Sequence, residues 1–344
     1  MRTEQALEGM KAFPPLPRPH VLWNRWTHQR PGPLDTDDAL VAGLLRLGCI
    51  ICHDIRRPDA GALTRLARLA ADQPGASLAL RWSLDAALKF DVAAHGGVNV
   101  TNPASYPKPY SVADPNYAAL PAALRARLDA AMEAIKAAGS DRHSVRYVAI
   151  DHEYLRFDDP ALIPPSDWLD IGRMFDRIET AILARFPAAE VVWYDAPSWR
   201  HGQGYVPTAR PLGHVCPSLY RPWDREKTRR DLWGRCLLSW GAAVTGPAGR
   251  WLHMARGAKL APFVSLAAGY DANDKWQWRL NYPPARSREL AELLATCVRE
   301  PARLYALDSV WVYPGPCALV DERSWWAHWM AWCEGWQQAA PAST

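Results

Sequence analysis

Two patterns of hydrophobic residues alternate along this chain. Short runs rich in Val, Ile, Leu and aromatic residues predict β-strands, and longer stretches with apolar residues every three to four positions predict amphipathic helices. The pattern predicts eight strands, at residues 20–26, 49–55, 77–84, 145–155, 190–197, 214–220, 260–270 and 307–314.

Helical stretches separate most of these strands. They are predicted at residues 36–47, 60–72, 117–138, 166–186, 225–243, 287–299 and 322–338, and a loop is predicted between the fifth and sixth strands. Polar residues that favour helix starts stand near three of them. We therefore predict Thr36, Ser166 and Ser287 as N-caps.

Strands that alternate with helices over 344 residues predict an α/β fold, a single-domain (β/α)8 barrel of the TIM type spanning residues 1–344. No Gly-rich phosphate-binding motif follows the first strand, which disfavours a doubly wound sheet. A segment rich in Gly, Asn, Pro and Tyr, residues 91–116, predicts an insertion after the third strand at the rim of the barrel.

Composition narrows the functional classes. The chain is 49% hydrophobic and 22% charged, as expected of a globular protein. Its 40 basic and 36 acidic residues are interspersed, so the net charge of +4 predicts no nucleic-acid partner. Neither a signal-like apolar stretch at the start nor a membrane-spanning run is visible, which favours a cytoplasmic location and no membrane partner. High Ala and Arg usage suits a bacterial source, and no oligomeric state is predicted.

Cysteine and tryptophan patterns predict packing. Cys49 and Cys52 form one CxxC motif inside an apolar strand, where their side chains should point to opposite faces, so both are interpreted as core residues and no metal site is predicted. No organic cofactor is predicted either. A stripe of five tryptophans near the carboxyl terminus repeats at helical spacing and predicts a buried helix face. Its members are Trp325, Trp326, Trp329, Trp332 and Trp336.

Polar and aromatic residues gather where the predicted strands end, which in a (β/α)8 barrel is the face that carries the active site. Acids, phenols and indoles together are typical of a carbohydrate site, because aromatic faces pack against the C–H faces of sugar rings. The candidates from seven strands are Asn24, Asp54, Asp151, Glu153, Tyr194, Asp195, Tyr220, Tyr270, Asp271 and Trp311.

Two carboxylates stand two residues apart at the end of the fourth strand, and strand alternation places both toward the barrel axis. Crowded carboxylates raise the pKa of one of them, so Glu153 is the candidate acid that protonates a leaving glycosidic oxygen. This spacing is too close for an inverting pair. The predicted faces are Tyr147, Ala149, Asp151 and Glu153 toward the axis, and Val148, Ile150 and His152 toward the helices.

Other roles for the pair remain open. If the sugar carries a 2-acetamido group, its carbonyl can act as nucleophile while Asp151 holds the amide nitrogen. A structural alternative is that the pair forms ion pairs with Arg156 or a neighbouring arginine.

The fourth strand, Val148-Ala-Ile-Asp-His-Glu-Tyr-Leu-Arg156, resembles the acid-bearing strand of the hyaluronidase family of glycoside hydrolases. Val21-Leu-Trp-Asn24, Trp193-Tyr194, Pro217-Ser-Leu-Tyr220 and Trp311 are similar to further family motifs in the same order, as are Leu260–Val264 with Tyr270-Asp271. The resemblance spans about residues 20 to 315. It departs from the family at Leu155, where an aromatic residue is usual, and in lacking its secretion signal and disulfide pattern.

The resemblance implies a (β/α)8 glycosidase in which Glu153 is the proton donor and Asp151 orients the acetamido group. It also implies that Tyr194 and Tyr220 bind the acetamido group and the sugar, that Trp311 lines the floor, and that other residues complete the pocket. These are Asn24, Tyr270 and Asp271.

Three functions follow as hypotheses. The first is a glycoside hydrolase that acts on a poly- or oligosaccharide, with substrate-assisted catalysis on 2-acetamido sugars. The second is a glycosidase or transglycosylase on non-acetamido glucans, in which Asp54, Asp195 or Asp271 is the partner of Glu153. The third is a catalytically silent glycan-binding protein.

Overall fold

A computed structural model gives the fold. It describes residues 3–23, 33–55, 60–83, 115–151, 165–194, 214–216, 218–219, 259–266, 269–270, 276–277, 283–297, 308–313 and 322–339.

Twelve strands form among the described residues. They are β1 His20–Trp23, β2 Cys49–Asp54, β3 Leu78–Ser83, β4 Val145–Asp151, β5 Glu190–Tyr194, β6 His214–Cys216, β7 Ser218–Leu219, β8 Lys259–Leu260, β9 Phe263–Ser265, β10 Gly269–Tyr270, β11 Trp276–Gln277 and β12 Val310–Tyr313.

The strand pairing closes into a parallel barrel. Strands β1 to β6 pair in chain order, and β12 pairs with the other edge of β1. Strand β6 pairs with β8, β7 pairs with β9, and β9 pairs with β12. Because β6 and β7 together form the sixth strand position and β8 and β9 the seventh, the pairs make a ring of eight positions. The predicted (β/α)8 architecture is confirmed.

The seventh strand differs from its prediction. It is interrupted between Leu260 and Phe263, where Pro262 lacks the N–H that a strand ladder needs. It ends at Ser265, and Tyr270 belongs to a separate antiparallel pair in which it lies opposite Trp276. The prediction that Tyr270 ends the seventh barrel strand is therefore wrong, because a run of apolar residues does not distinguish one strand from a strand followed by a hairpin.

Eight α-helices form among the described residues, and a short 3₁₀ helix spans Arg142–Ser144. They are α1 Thr3–Lys11, α2 Pro33–Thr36, α3 Asp38–Arg46, α4 Ala60–Ala71, α5 Pro115–Ala137, α6 Pro165–Arg185, α7 Ala285–Cys297 and α8 Glu322–Ala339.

The three predicted N-caps are wrong. Asp37, not Thr36, caps α3, because its carboxylate accepts a hydrogen bond from the backbone N–H of Leu40 at 2.9 Å. Helix α6 begins at Pro165, a residue suited to a first helical position, so Ser166 lies inside it. Ser287 lies inside α7, where its buried hydroxyl is 2.7 Å from Nδ1 of His328.

Strand alternation divides the barrel core into two layers. On β4, Tyr147 and Ala149 belong to the cluster inside the barrel, and Val148 and Ile150 belong to the cluster between strands and helices. This confirms the predicted faces as far as Asp151, the last described residue of that segment. Cys49 and Cys52 are likewise both buried, one in each layer, and neither forms a disulfide.

The five tryptophans of α8 are all buried, as predicted. Helix α8 packs on α7, and a Cβ on Gly335 would lie 2.4 Å from the carbonyl oxygen of Arg288, so only glycine permits this approach. His20, at the start of β1, packs edge-on against three of the indoles, those of Trp329, Trp332 and Trp336.

Several predicted elements lie outside the described residues. These are the helix at 225–243 and the rim insertion at 91–116, apart from its last two residues, which begin α5. None of the helices formed by the described residues is long and apolar enough to cross a membrane.

Candidate active site

The carboxyl ends of β2, β3 and β4 bring three charged side chains together inside the barrel. Asp54 lies opposite Arg81 in the β2–β3 register, and Asp151 lies opposite Ser83 in the β3–β4 register. All three point inward because each stands an even number of residues from an inward-facing neighbour, such as Cys52 for Asp54. Local alternation and register together create the cluster.

Arg81 joins the two carboxylates. Its Nη1 donates to Oδ2 of Asp54 at 2.8 Å, and its Nη2 donates to Oδ2 of Asp151. The three side chains are only 4%, 4% and 2% exposed, in the order Arg81, Asp54, Asp151. We call this group the Arg81 cluster. Because guanidinium is always charged, it favours the ionised form of both carboxylates.

Four aromatic side chains lie next to the Arg81 cluster within the barrel. The ring of Trp23 lies 5.1 Å from that of Tyr194 and 5.0 Å from that of Phe263. The guanidinium carbon of Arg81 lies 4.5 Å from the centre of the Trp23 ring, a cation–π contact. Trp311 packs 5.6 Å from Trp23 and pairs in register with Val21, two residues deeper than Trp23.

The thiol of Cys52 also lies inside the barrel, two residues before Asp54 on β2. Burial raises the pKa of this thiol well above its usual range, against the smaller opposing effect of Arg81. The thiol therefore stays protonated, and it is a packing residue rather than a nucleophile.

The structure brings four predicted site residues together: Asp54, Asp151, Tyr194 and Trp311. Tyr270 lies on β10, which pairs with β11 and not with a barrel strand. The other predicted site residues lie outside the described ones. These are Asn24, Glu153, Asp195, Tyr220 and Asp271.

The sequence analysis did not name Arg81, but it left open an ion pair between the fourth-strand carboxylates and a neighbouring arginine, and Arg81 forms such a pair with Asp151. The alternation of the third strand contains a signal for Arg81. In Leu78-Ala-Leu-Arg81-Trp82 a single charge interrupts an apolar run, at a position with the same parity as the inward-facing Ala79. A charged residue inside a strand that is buried on both faces needs a partner of opposite charge.

No protein-family model matches the chain, and no curated protein is recognisably similar to it. Its fold is similar to solved structures. A GH113 β-1,4-mannanase has 8% identity, covers 94% of this chain and 98% of its own, and gives a TM-score of 0.48. A GH5 xyloglucan-specific β-1,4-glucanase from a ruminal metagenomic library has 11% identity, coverages of 92% and 89%, and a TM-score of 0.46.

Bee venom hyaluronidase in complex with a hyaluronic acid tetramer is also similar, at 12% identity, with coverages of 55% of this chain and 67% of its own and a TM-score of 0.30. Likeness at these identities and TM-scores assigns neither a family nor a substrate to this chain.

Proposed function

We propose that this protein is a glycoside hydrolase that cleaves glycosidic bonds in a poly- or oligosaccharide. One observation carries the proposal: strand β4 delivers Asp151 to the barrel interior at its carboxyl end, into a cluster of charged and aromatic side chains. Glycoside hydrolysis commonly uses a pair of carboxyl groups, and aromatic side chains offer apolar faces that pack against sugar rings.

Glu153 is the proton donor in this proposal. Glu153 stands two residues after Asp151, so strand alternation predicts from the sequence that both carboxyl groups face the axis. The negative charge of Asp151 disfavours ionisation of a neighbouring carboxyl group, which keeps Glu153 protonated and able to donate to the leaving oxygen.

Asp151 is the orienting residue. Held by Arg81, it presents a fixed, ionised carboxylate, which can accept a hydrogen bond from the N–H of a 2-acetamido group while the acetamido carbonyl attacks the anomeric carbon. Tyr194 lies opposite Asp151 in the β4–β5 register, and Trp23 packs against Tyr194, Arg81 and the fully buried Trp311. This is the substrate-assisted, hyaluronidase-like form of the proposal.

The experiment compares wild-type protein with Glu153→Gln on a panel of glycans, half of them with 2-acetamido groups and half plain glucans, with products followed by mass spectrometry. Loss of the general acid should slow cleavage about 10²- to 10⁴-fold. The matched control is Glu133→Gln, which removes an exposed carboxylate of α5 that pairs with Lys136.

Each result has a defined meaning. Cleavage confined to acetamido sugars and lost only in Glu153→Gln supports the substrate-assisted mechanism. Cleavage of plain glucans moves the partner role to another carboxylate, for which Asp54, Asp195 and Asp271 are the candidates. Binding without products overturns the hydrolase and leaves a glycan-binding protein.

A further inference from the structure

The amino-terminal end of the barrel carries a second cluster of ionisable side chains. Glu190, His214 and Lys259 are the first residues of β5, β6 and β8, and Asp308 lies two residues before β12. On β5, Glu190 stands four residues before Tyr194, which is about 13 Å along the strand. The cluster is therefore separate from the candidate active site.

His214 has an unusual environment. It is only 2% exposed, and its Nε2 lies 2.9 Å from Oε2 of Glu190 and 3.3 Å from Oδ2 of Asp308. Within the part of the chain that the structure describes, neither ring nitrogen makes a hydrogen bond of acceptable geometry. An N–H group points along one axis, so a proton on Nε2 serves at most one of the two carboxylates. Buried polar groups without hydrogen bonds are rare and costly.

A metal ion would accept lone pairs from all three groups at once. When ligands bind zinc at about 2.0–2.2 Å, neighbouring ligand atoms lie about 2.9–3.5 Å apart in tetrahedral or octahedral geometry, and both distances from His214 Nε2 fall in that range. The three ligand atoms lie within 4.8 Å of one another. We propose that Glu190, His214 and Asp308 form a binding site for a Zn²⁺ ion, with its remaining coordination positions open to water.

The surroundings of Asp308 suit a metal ligand. The hydroxyl of Tyr147 donates to its Oδ2 at 2.6 Å, a contact that fixes the orientation of the carboxylate.

Lys259 would compete with a metal ion for the carboxylates of Glu190 and Asp308. Its ammonium lies 3.0 Å from Oε2 of Glu190 and 3.6 Å from Oδ1 of Asp308, which shows that the two carboxylates attract a cation here. The side chain of Lys259 is 45% exposed and can turn into solvent when an ion binds. Removal of Lys259 should therefore tighten zinc binding.

The test is a titration of the full, chelator-treated chain with ZnCl₂ by isothermal calorimetry and equilibrium dialysis. Wild-type protein should bind one more equivalent of zinc than His214→Gln or Glu190→Gln. Glu190 is 32% exposed, so its isosteric substitution preserves the fold if His214→Gln does not. The matched control is His143→Gln, which removes an exposed imidazole and should leave the stoichiometry unchanged.

Lys259→Met supplies a second readout, with an expected gain in zinc affinity of about tenfold. Co²⁺ should give a visible absorption band in wild type and Lys259→Met that is lost in Glu190→Gln. Equal zinc stoichiometry and affinity in wild type and Glu190→Gln would overturn the proposal and leave Lys259 as the resident cation. None of these readouts involves glycan cleavage, so their outcome is independent of the proposed hydrolase.

Discussion

Both ends of the barrel place carboxylates around a basic side chain, but they differ in exposure. At the carboxyl end, Arg81 and its partners Asp54 and Asp151 are at most 4% exposed. At the amino end, His214 and Asp308 are 3% and 12% exposed, but Lys259 is 45% and Glu190 is 32% exposed. The ammonium of Lys259 is therefore accessible to water, whereas the guanidinium of Arg81 is not.

The difference bears on what each cluster contributes. Burial of an ion costs several kcal/mol, so a buried salt bridge adds little net stability even though removal of one partner is strongly destabilising. An exposed pair costs little and contributes little. Because the two clusters differ in the exposure of their basic side chains, we expect unequal effects from matched substitutions at the two ends.

The largest effect is expected for Arg81→Met. This change leaves Asp54 and Asp151 buried beside each other without their shared cation. We expect the free energy of unfolding to fall by about 3–5 kcal/mol, measured by urea denaturation at pH 7. The triple variant Asp54→Asn, Arg81→Met, Asp151→Asn should be more stable than Arg81→Met alone, because the uncompensated charges are removed.

Arg65→Met is the control for Arg81→Met. Arg65 also pairs with an aspartate, Asp38, but that carboxylate is 65% exposed. Loss of the Arg65–Asp38 pair should lower the free energy of unfolding by less than about 1 kcal/mol. Equal losses in Arg65→Met and Arg81→Met would show that burial does not separate the two kinds of pair.

A pH titration tests His20, a buried imidazole that has no carboxylate partner among the residues that the structure describes. Burial lowers the pKa of His20 from 6.5 to about 4, against the smaller opposing effect of its hydrogen bond to the Arg18 carbonyl oxygen. As the pH falls, the unfolded chain binds this proton before the folded chain does. The contribution of His20 to the free energy of unfolding is therefore constant above pH 6.5, decreases as the pH drops toward 4, and is constant again below pH 4. The loss from this group should be about 3 kcal/mol across that window.

Denaturation curves of wild type and His20→Phe between pH 4 and 7 measure this contribution. Phe fills the space among the indoles of α8 without a titrating group. The free energy of unfolding of the His20→Phe variant should therefore depend less on pH in that window. His143→Gln, which removes an exposed imidazole, should keep the wild-type slope. A His20→Phe variant with an unchanged slope would contradict the assignment.

Local periodicity predicted much of the fold from the sequence. The period-two alternation of β4 sets which residues face the axis, and it correctly placed Tyr147, Ala149 and Asp151. The same rule does not reveal that Arg81 joins Asp54 and Asp151, because that contact depends on the register between three strands. The prediction for Tyr270 was wrong for a related reason, because the sequence of one strand does not show which other strand it pairs with.

Motif analysis of the sequence could not predict the amino-end cluster. The members of this cluster lie at least 24 residues apart in the sequence, the spacing between Glu190 and His214. Each of the four, including Lys259 and Asp308, stands alone at or near the start of a strand. Only closure of the barrel brings β5, β6, β8 and β12 to one end. A sequence pattern predicts such a cluster only when its members share one element.

The smallest effect is expected for Lys259→Met, which is the exposed counterpart of Arg81→Met. Lys259 bonds Glu190 at 3.0 Å, but water screens the pair and can solvate Glu190 when the lysine is gone. The free energy of unfolding should fall by about 0.5–1 kcal/mol at low salt, and the difference from wild type should shrink in 1 M NaCl. Urea denaturation at both salt concentrations measures it. A loss as large as that of Arg81→Met would mean that the two ends do not differ in kind, whereas a small, salt-sensitive loss ties the strength of each cluster to its exposure.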